Sequence, residues 1–453
     1  MNRRDFLKTL ATGTTGATLA GLLGPPSWAA EAPPANRPNI IIVLADDMGW
    51  RDTGYQGSPA AKTPHLDDLA TKNVRFDYFY PAQQMCSPGR FGIMTGRNPF
   101  RTGLHHLGAM RPQEITLAEA LKTAGYSTGH FGKWHLGGGD THPVRKGFDL
   151  SYFSINYFDI GSKLAVNDTK EFVEVKGDSS VFTMDLAIDW IRKVSKDPKP
   201  FFAYVCFGSP HAPHKGADEF KALYKDADGK VDFLAEVSGV DAAVGKLRAE
   251  LRKLGIADNT IVWFTSDNGG ITPQSMDPSG KGKMNVGVRT VACMEWPGRI
   301  KQPIRTDVVC AHTDFYPTLL DITGVQMPNQ PVIDGVSLLP LLEGKMKQRP
   351  KPVGFMLWNG KGNFAQIDFT KDAQGVWIDG QYKLIVTPPG HSGGKRGAAD
   401  AAGAALHDIY ADPAEKTNLA SRMPDQVAKM RQALEQWQKS VRDGFDGKDY
   451  VKA

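Results

Sequence analysis

Three apolar runs, each as long as a buried β-strand, end directly in polar side chains. The runs and the residues that follow them are 39–45 before Asp46-Asp47, 201–207 before Ser209-Pro210-His211, and 260–265 before Ser266-Asp267-Asn268. Because helical patterns separate these runs, they predict a mostly parallel sheet with helices on both faces. Ligands of such sheets bind at the carboxyl ends of the strands, so the three polar clusters predict one shared site.

Helical patterns occupy the intervals between the strands. Apolar residues recur at steps of three and four over 237–254, and residues 182–194 show a second amphipathic pattern. Residues 116–124 begin with Thr116 and Glu119 at the spacing of a capping box, and residues 126–130 follow as a short strand. These elements extend the expected alternation of strands and helices.

The pattern changes after residue 345. Residues 353–357, 375–378 and 382–386 are typical of short antiparallel strands, and a polar helix is expected over 424–441. We therefore expect a larger domain over 38–345, which carries the polar site, and a smaller C-terminal α+β domain over 346–453. The expected fold class is α/β, a large mixed, mostly parallel sheet sandwiched by helices, with an antiparallel sheet in the smaller domain.

The first 30 residues resemble a twin-arginine export signal. Arg3-Arg4 is followed by a weakly apolar stretch rich in Gly and Thr, and by small residues at Ala29-Ala30. Residues 31–37 then form a short tether. The resemblance implies a bacterial protein that the Tat translocase exports to the periplasm or the medium.

Charge and hydropathy exclude two classes of partner. The formal net charge is +5, of which the leader supplies +2, so the remainder is too balanced for a protein that binds nucleic acid by bulk charge. No run of about 18 apolar residues occurs, so no transmembrane helix is expected and the mature chain should not contact a membrane.

The four cysteines fall into two groups and match no zinc-binding spacing. Cys206, Cys293 and Cys310 lie in or beside apolar runs and are expected in the core, where a disulfide among them is left open. Cys86 differs because its neighbours are polar and turn-forming.

The strand-end residues offer only oxygen ligands. Asp46, Asp47, Asp267 and Asn268 suit a hard cation, calcium or magnesium, better than zinc. A divalent ion would also offset the repulsion among three carboxylates. The alternative is that each aspartate merely caps a strand or a helix.

Cys86 begins the motif Cys86-Ser87-Pro88-Gly89-Arg90, and Thr95-Gly96-Arg97 follows downstream. This arrangement resembles the signature of formylglycine-dependent sulfatases, Cys-x-Pro-x-Arg with a downstream Thr-Gly-Arg. Further motifs match in family order, namely Asp46-Asp47-Met48-Gly49, Thr63-Pro64-His65, Gly132-Lys133-Trp134-His135, Pro210-His211-Ala212-Pro213, Ser266-Asp267-Asn268-Gly269, Tyr316-Pro317-Thr318 and Tyr410-Ala411-Asp412-Pro413. The chain is thus similar to the arylsulfatase-like members of the alkaline phosphatase superfamily over nearly its whole length, and that fold is implied.

The resemblance implies a nucleophile made from Cys86. A formylglycine-generating enzyme would oxidise this thiol to an aldehyde, whose hydrate binds the metal together with Asp46, Asp47, Asp267 and Asn268. One hydroxyl of the hydrate would attack the sulfur of a sulfate monoester.

The resemblance also implies roles for the surrounding side chains. Arg90 would hold the hydrate, and Asp267 would take the proton of the attacking hydroxyl. Lys133 and Lys281, with Lys283 as the alternative, would bind the sulfate oxygens. His211 would protonate the departing alcohol, and His135 would deprotonate the second hydroxyl to expel sulfate.

Two positions depart from the family pattern. Gly89 stands where Ser or Ala is usual, which predicts added flexibility at a turn that the modifying enzyme must read. In the segment 281–289, Asn285-Val286-Gly287 replaces Glu-Gly-Gly and the spacing is one residue shorter, so the choice between Lys281 and Lys283 stays open.

Two competing functions remain open on the sequence alone. One is a phosphomonoesterase or phosphodiesterase on the same fold, and the other is a protein that binds a sulfated glycan through an unmodified Cys86. A carbohydrate sulfate is the expected substrate, with an aryl sulfate as the alternative. Its alcohol should contact segments 150–170 and 360–372, which are expected to be loops rich in aromatic residues.

Overall fold

The computed structural model describes residues 37–155, 161–224, 230–270, 289–358, 363–388 and 403–450. The expected export signal, nearly all of the tether, and both Lys281 and Lys283 lie outside the described residues.

The described strands and helices follow in chain order. The strands are β1 (Asn39–Ala45), β2 (Val74–Phe76), β3 (Phe79–Tyr80), β4 (Ser127–Lys133), β5 (Leu150–Ser154), β6 (Lys163–Val166), β7 (Phe172–Glu174), β8 (Phe201–Cys206), β9 (Thr260–Ser266), β10 (Ala292–Glu295), β11 (Ile304–Thr306), β12 (Cys310–Ala311), β13 (Val353–Leu357), β14 (Gln374–Asp379), β15 (Tyr382–Val386) and β16 (Ala404–Asp408). The helices are α1 (Pro64–Lys72), α2 (Cys86–Thr95), α3 (Leu117–Thr123), α4 (Ser179–Val194), α5 (Asp218–Lys221), α6 (Val231–Lys253), α7 (Phe315–Thr323), α8 (Leu339–Leu342) and α9 (Pro424–Phe445).

The main sheet has the strand order β11-β2-β10-β9-β1-β8-β4-β5-β6-β7. Its centre is parallel: β1 lies between β8 and β9, and β4 lies between β8 and β5. The pairs of β10 with β9 and β2, and of β6 with β5 and β7, are antiparallel. The expected mixed, mostly parallel sheet is therefore confirmed, and the carboxyl ends of β1, β4, β8 and β9 share one edge.

Alternate side chains of β1 enter two separate cores. Ile40, Ile42 and Leu44 pack on the side that holds α2, α3 and α7, whereas Ile41 and Val43 pack against α1, α4 and α6. Every residue from Ile40 to Ala45 is fully buried. This explains why the strand reads as a continuous apolar run rather than an alternating one.

Several predicted elements are longer than the sequence suggested. α4 begins at Ser179 because Asp178 caps it, accepting hydrogen bonds from Ser180 N and Val181 N. The Thr116 capping box is confirmed. β4 continues to Lys133, although its Gly129 and Gly132 weaken the strand pattern.

The expectation of a loop over 150–170 is wrong where the chain is described. β5 and β6 lie within it and extend the sheet, because β5 adds in parallel to β4 and β6 pairs back on β5. The aromatic residues Tyr152 and Phe153 are therefore strand residues. Tyr152 stacks on Phe131 within the sheet.

The smaller sheet, β13-β14-β15-β16, is antiparallel as expected. α9 packs Met430 and Leu434 against Leu384 and Leu406 of this sheet. Cys206, Cys293 and Cys310 are buried in the core, as is Cys86, and they form no disulfide with one another. In the described ranges, no helix is both long enough and apolar enough to cross a bilayer.

Candidate active site

The end of β1 is tied to the end of β9. Asp47 N donates to Asp267 Oδ1 at 3.2 Å, and Met48 N donates to Ser266 Oγ at 2.9 Å. Asp47 adopts a left-handed backbone with φ of 63°, which is uncommon outside glycine. The two polar clusters predicted to meet therefore do meet, at the carboxyl edge of the sheet.

Cys86 is the first residue of α2 and lies against these carboxylates. Its Sγ is 3.4 Å from Asp46 Oδ1 and 4.0 Å from Asp47 Oδ1. Burial, together with the negative charges of Asp267 and Asp46, raises the pKa of the Cys86 thiol well above its usual value. A divalent cation at this site would act in the opposite direction.

Arg90 lies one turn further along α2 and joins three elements. Its Nε and Nη2 are both 2.9 Å from Asp267 Oδ2, and its Nη1 donates to the Lys133 carbonyl at 2.7 Å. The side chain is fully buried, so these charge-assisted bonds hold α2, β9 and β4 in fixed positions.

Lys133, at the end of β4, forms a buried ion pair with Asp46. Burial alone would raise the pKa of Asp46, but the positive charges of Lys133 and Arg90 outweigh it and lower this pKa. Burial would likewise lower the pKa of Lys133, and the Asp46 carboxylate raises it instead. The lysine is therefore a cation held beside Cys86.

His211 follows β8, and its Nε2 is 3.4 Å from Asp47 Oδ2. The ligand atoms of Asp46, Asp47, Cys86 and His211 all lie within 4.8 Å of one another, as in a metal site. This cluster includes His211, which was not predicted to be a metal ligand.

The neighbouring residues also fit a hard cation. Asn268 Nδ2 is 2.5 Å from Asp47 Oδ1, and within the described part of the chain the buried Asn268 Oδ1 has no hydrogen-bond partner. Among the described residues, Asp46, Asp47 and Asp267 are fully buried, and Arg90 and Lys133 form buried ion pairs with two of them. Three crowded carboxylates and an amide oxygen without a donor are the chemistry that calcium or magnesium would complete.

The structure thus brings together Asp46, Asp47, Cys86, Arg90, Lys133, His211, Asp267 and Asn268. His135 lies two residues beyond Lys133, half-buried, with a left-handed φ of 54°. The roles assigned to these residues stay predictions.

Two supporting residues were not identified from the sequence. Thr290 Oγ1 lies 3.4 Å from the Met48 carbonyl and 3.3 Å from the Asn268 carbonyl, where it bridges the two strand ends. His312 Nδ1 is 3.2 Å from the Gly89 carbonyl, and burial lowers the pKa of His312 to about 4. Both act through long-range contacts for which the sequence gives no local signal.

Two family models match the chain. One, described as Sulfatase, covers residues 38–325, and the other, described as N-sulphoglucosamine sulphohydrolase, C-terminal, covers residues 284–440. N-acetylgalactosamine-6-sulfatase of Mus musculus is 34% identical over 371 residues, which are 71% of this chain and 69% of that protein.

Solved structures of similar proteins have the same fold. The crystal structure of Ps i-CgsB superposes with a TM-score of 0.78 at 23% identity, over 91% of this chain and 98% of that one. BT4656 in complex with its substrate D-glucosamine-2-N,6-O-disulfate gives a TM-score of 0.71 at 22% identity, over 90% of this chain and 98% of that one. The alkaline phosphatase-like fold is thereby confirmed. Together with the buried Cys86, Asp46 and Asp47 cluster, these matches show that the chain belongs to the sulfatase family and is a sulfuric ester hydrolase.

Proposed function

We propose that this sulfatase removes sulfate from a carbohydrate monoester, using a formylglycine made from Cys86 and a calcium ion. The observation that carries the proposal is the position of Cys86, whose Sγ lies within 4.0 Å of the carboxylates of both Asp46 and Asp47. A thiol is a poor ligand for a hard cation, whereas oxygen atoms at the same position would be good ones.

Calcium would be held by Asp46, Asp47, Asp267 and Asn268, with magnesium as the alternative. When bound, a divalent ion polarises sulfate oxygens and makes an attached hydroxyl more acidic. The protein's own contribution is rigidity, because Arg90 and the Asp47–Asp267 hydrogen bond fix the carboxylates before substrate arrives.

Formylglycine at position 86 would require a formylglycine-generating enzyme as a partner. Once hydrated, this aldehyde supplies the nucleophilic oxygen that a thiol does not. Arg90, at the same end of α2, would orient it by charge-assisted hydrogen bonds.

The remaining side chains would handle charge and protons. Lys133 places a buried positive charge beside Cys86, where negative charge develops on the sulfate oxygens. His211 lies at the mouth of the site, one-fifth exposed, which suits a proton donor to a departing alcohol. Asp267 and His135 would accept protons, and Lys281 is expected to be the second sulfate-binding lysine.

The names of similar proteins support a carbohydrate substrate. The mouse relative is a sulfatase of N-acetylgalactosamine, one family model is named for N-sulphoglucosamine, and BT4656 is solved with a sulfated glucosamine. We infer a sulfated amino sugar as the substrate class, in preference to an aryl sulfate.

Residues 1–30 would direct export by the Tat translocase, and the enzyme would act in the periplasm or outside the cell. In the same scheme, residues 31–37 are the tether, residues 38–345 the catalytic domain, and residues 346–453 the C-terminal subdomain.

The test combines mass analysis with paired substrates. The enzyme is produced in a host that has a formylglycine-generating enzyme, and the peptide containing residue 86 is analysed by mass spectrometry. We expect the aldehyde at position 86, and faster turnover of N-acetylgalactosamine 6-sulfate than of the matching 6-phosphate. Cys86→Ala should abolish sulfate release, whereas Cys206→Ala should not. Unmodified thiol in a fully active enzyme would overturn the proposal.

A further inference from the structure

A second cavity lies at the same edge of the sheet as the active site. Its volume is about 600 Å³, and Trp50, Arg75, Tyr78, Arg289, Arg305 and Tyr410 are among its lining residues. A cavity of this size accommodates one or two sugar rings. None of these side chains belongs to the catalytic cluster.

Strand directions place the cavity beside the catalytic cluster. β2 is antiparallel to β10, and β10 is antiparallel to β9, so β2 and β9 end at the same edge. Asp77 and Tyr78 follow β2 at that edge. On the other side of the cavity, Trp50 comes three residues after Asp47, and Arg289 precedes Thr290, which contacts the Asn268 carbonyl.

Arg289 is the unusual member of the lining. Its guanidinium lies between two rings, 4.1 Å from the centre of Trp50 and 4.2 Å from the centre of Tyr78. The residue is 5% exposed, and its Nη2 donates to the Asp77 carbonyl. Within the described ranges no carboxylate forms an ion pair with it, and its Nε has no hydrogen-bond partner. A buried guanidinium without a counterion is costly unless an anion completes it.

The other charges of the lining leave this positive charge uncompensated. Asp77 forms ion pairs with two arginines. Arg75 Nε is 2.6 Å from Asp77 Oδ1, and Arg305 Nε is 2.6 Å from Asp77 Oδ2. Asp307 is the second acid of the lining, so three arginines face two carboxylates. The lining therefore carries one net positive charge, and Arg289 is its buried arginine.

Aromatic surfaces complete the features of a sugar-binding site. Tyr410 is 37% exposed, and the centre of its ring lies 5.0 Å from the centre of the Tyr78 ring. Its hydroxyl donates a 2.8 Å hydrogen bond to the Asp307 carbonyl, which fixes the ring. Rings held rigidly at a cavity wall present the flat apolar surface on which sugar rings stack.

We infer that this cavity binds a second, anionic sugar residue of the same glycan chain, through Arg289 and the Tyr410 ring. The inference rests on the proposed carbohydrate substrate and extends it: the preferred substrate is an oligosaccharide that carries a sulfate or a carboxylate away from the scissile ester. A planar guanidinium suits either anion because it can donate two parallel hydrogen bonds.

The first experiment measures binding without turnover. In the Cys86→Ala background, calorimetry follows binding of a chondroitin 6-sulfate hexasaccharide to enzyme with Arg289 or with Arg289→Met. Methionine keeps an apolar chain between the two rings and removes the charge. We expect at least a tenfold weaker affinity for the methionine variant. Arg192→Met, on an exposed part of α4, is the matched control and should bind within twofold of its parent. An equal affinity with and without the Arg289→Met substitution would overturn the inference.

Further ligands identify the anion. A chondroitin hexasaccharide that keeps only its scissile 6-sulfate separates the two anions. The same Arg289 dependence of its affinity would assign the carboxylate, and loss of that dependence would assign the second sulfate. Equally tight binding of neutral maltohexaose would overturn the anionic specificity. If Arg289→Met fails to fold, as judged by its melting temperature, Tyr410→Ala replaces it. The same tenfold loss is then expected, and unchanged affinity would overturn the inference.

The second experiment separates this inference from the proposed function. For the enzyme with Cys86, the ratio of kcat/KM on the hexasaccharide to kcat/KM on N-acetylgalactosamine 6-sulfate should fall about tenfold in Arg289→Met. Arg289-dependent binding without any sulfate release would refute the proposed substrate but not the cavity. Sulfate release with an unchanged ratio would refute the cavity alone.

Discussion

Gly89 lies against the backbone of Asp267 so closely that a Cβ at position 89 would come within 1.9 Å of the Asp267 carbonyl oxygen. The residue is in the first half of α2, not in a flexible turn. In the folded protein this position is therefore a helix position rather than a turn, and the effect of Gly89 on modification of Cys86 stays a prediction. This glycine allows the helix that carries Cys86 and Arg90 to reach the strand end that carries Asp267.

Gly89→Ala should therefore damage the site. Because the obstacle is backbone rather than a movable side chain, α2 or Asp267 must shift, at a cost of about 1–3 kcal/mol in the free energy of unfolding. We expect sulfate release to fall at least tenfold, measured with a soluble sulfate ester, and the denaturant midpoint to decrease. Gly138→Ala is the matched control, since a Cβ there meets nothing within 4 Å. Full activity of Gly89→Ala would contradict the packing argument.

Lys133→Met should lower kcat by more than any loss of folded enzyme explains. Removal of the ammonium beside Asp46 takes away a positive charge at the position where the sulfate oxygens are expected. We expect kcat to fall about a hundredfold. Lys383→Met is the control, because Lys383 forms an equally buried pair with Glu415, at 2.8 Å, in the smaller sheet. It should lower the melting temperature while kcat of the folded enzyme changes little. Equal effects of both variants on kcat would argue against a catalytic role for Lys133.

The local parts of this site were predictable, and the pairings between distant residues were not. The ends of β1, β8 and β9 were identified because an uninterrupted apolar run and its polar end are contiguous in sequence. The partners of Lys133 and Arg90 depend on contacts with residues 87 and 177 positions away. Nothing in either local sequence specifies which carboxylate each cation meets.

The missed strands have a physical explanation as well. β7 is the edge strand and β6 lies next to it. Leu164 is the one buried residue among them, so these strands have no buried run to reveal them. β16, with the sequence AALHD, is rich in residues that favour helices, and tertiary packing overrides that preference. The boundary near residue 345 stays a prediction.

Asp334 should make the stability of the protein depend on pH in the acid range. Arg101 Nε and Nη2 donate to its two oxygens at 2.7 and 2.9 Å, and Trp437 of α9 donates at 3.2 Å. Burial alone would raise the pKa of Asp334, but the Arg101 charge lowers it to about 2. Because the native pKa lies below the ordinary value of 3.8, the pair stabilises above pH 4 and loses that contribution between pH 4 and pH 2.

Asp334→Asn should therefore lower the free energy of unfolding by about 3 kcal/mol at pH 6, because it leaves the buried Arg101 guanidinium without its main partner. The difference from the wild type should shrink by about 2 kcal/mol as the pH falls from 4 to 2. Urea denaturation midpoints at several pH values measure this. Asp446→Asn, in an exposed pair with Arg442, should change stability by less than about 1 kcal/mol at every pH. A difference between wild type and Asp334→Asn that is independent of pH would contradict the argument.

Removal of divalent ions should destabilise the folded enzyme, independently of any effect on turnover. Asp46, Asp47 and Asp267 are buried together at the end of the sheet, where their carboxylates repel one another and a bound divalent cation would offset that repulsion. A calcium ion that binds only the native state, at 100 times its Kd, adds about 2.7 kcal/mol to the free energy of unfolding. We expect a chelator to lower the melting temperature and added calcium to restore it, with magnesium compared in parallel.

Asp47→Asn should abolish most of this calcium-dependent shift. Asp314→Asn breaks a buried pair with Arg349 that includes none of the proposed metal ligands, and it is the matched control. Its melting temperature should be lower while its response to calcium stays intact. A chelated wild-type enzyme that melts at the same temperature with and without either ion would exclude a structural cation at this cluster.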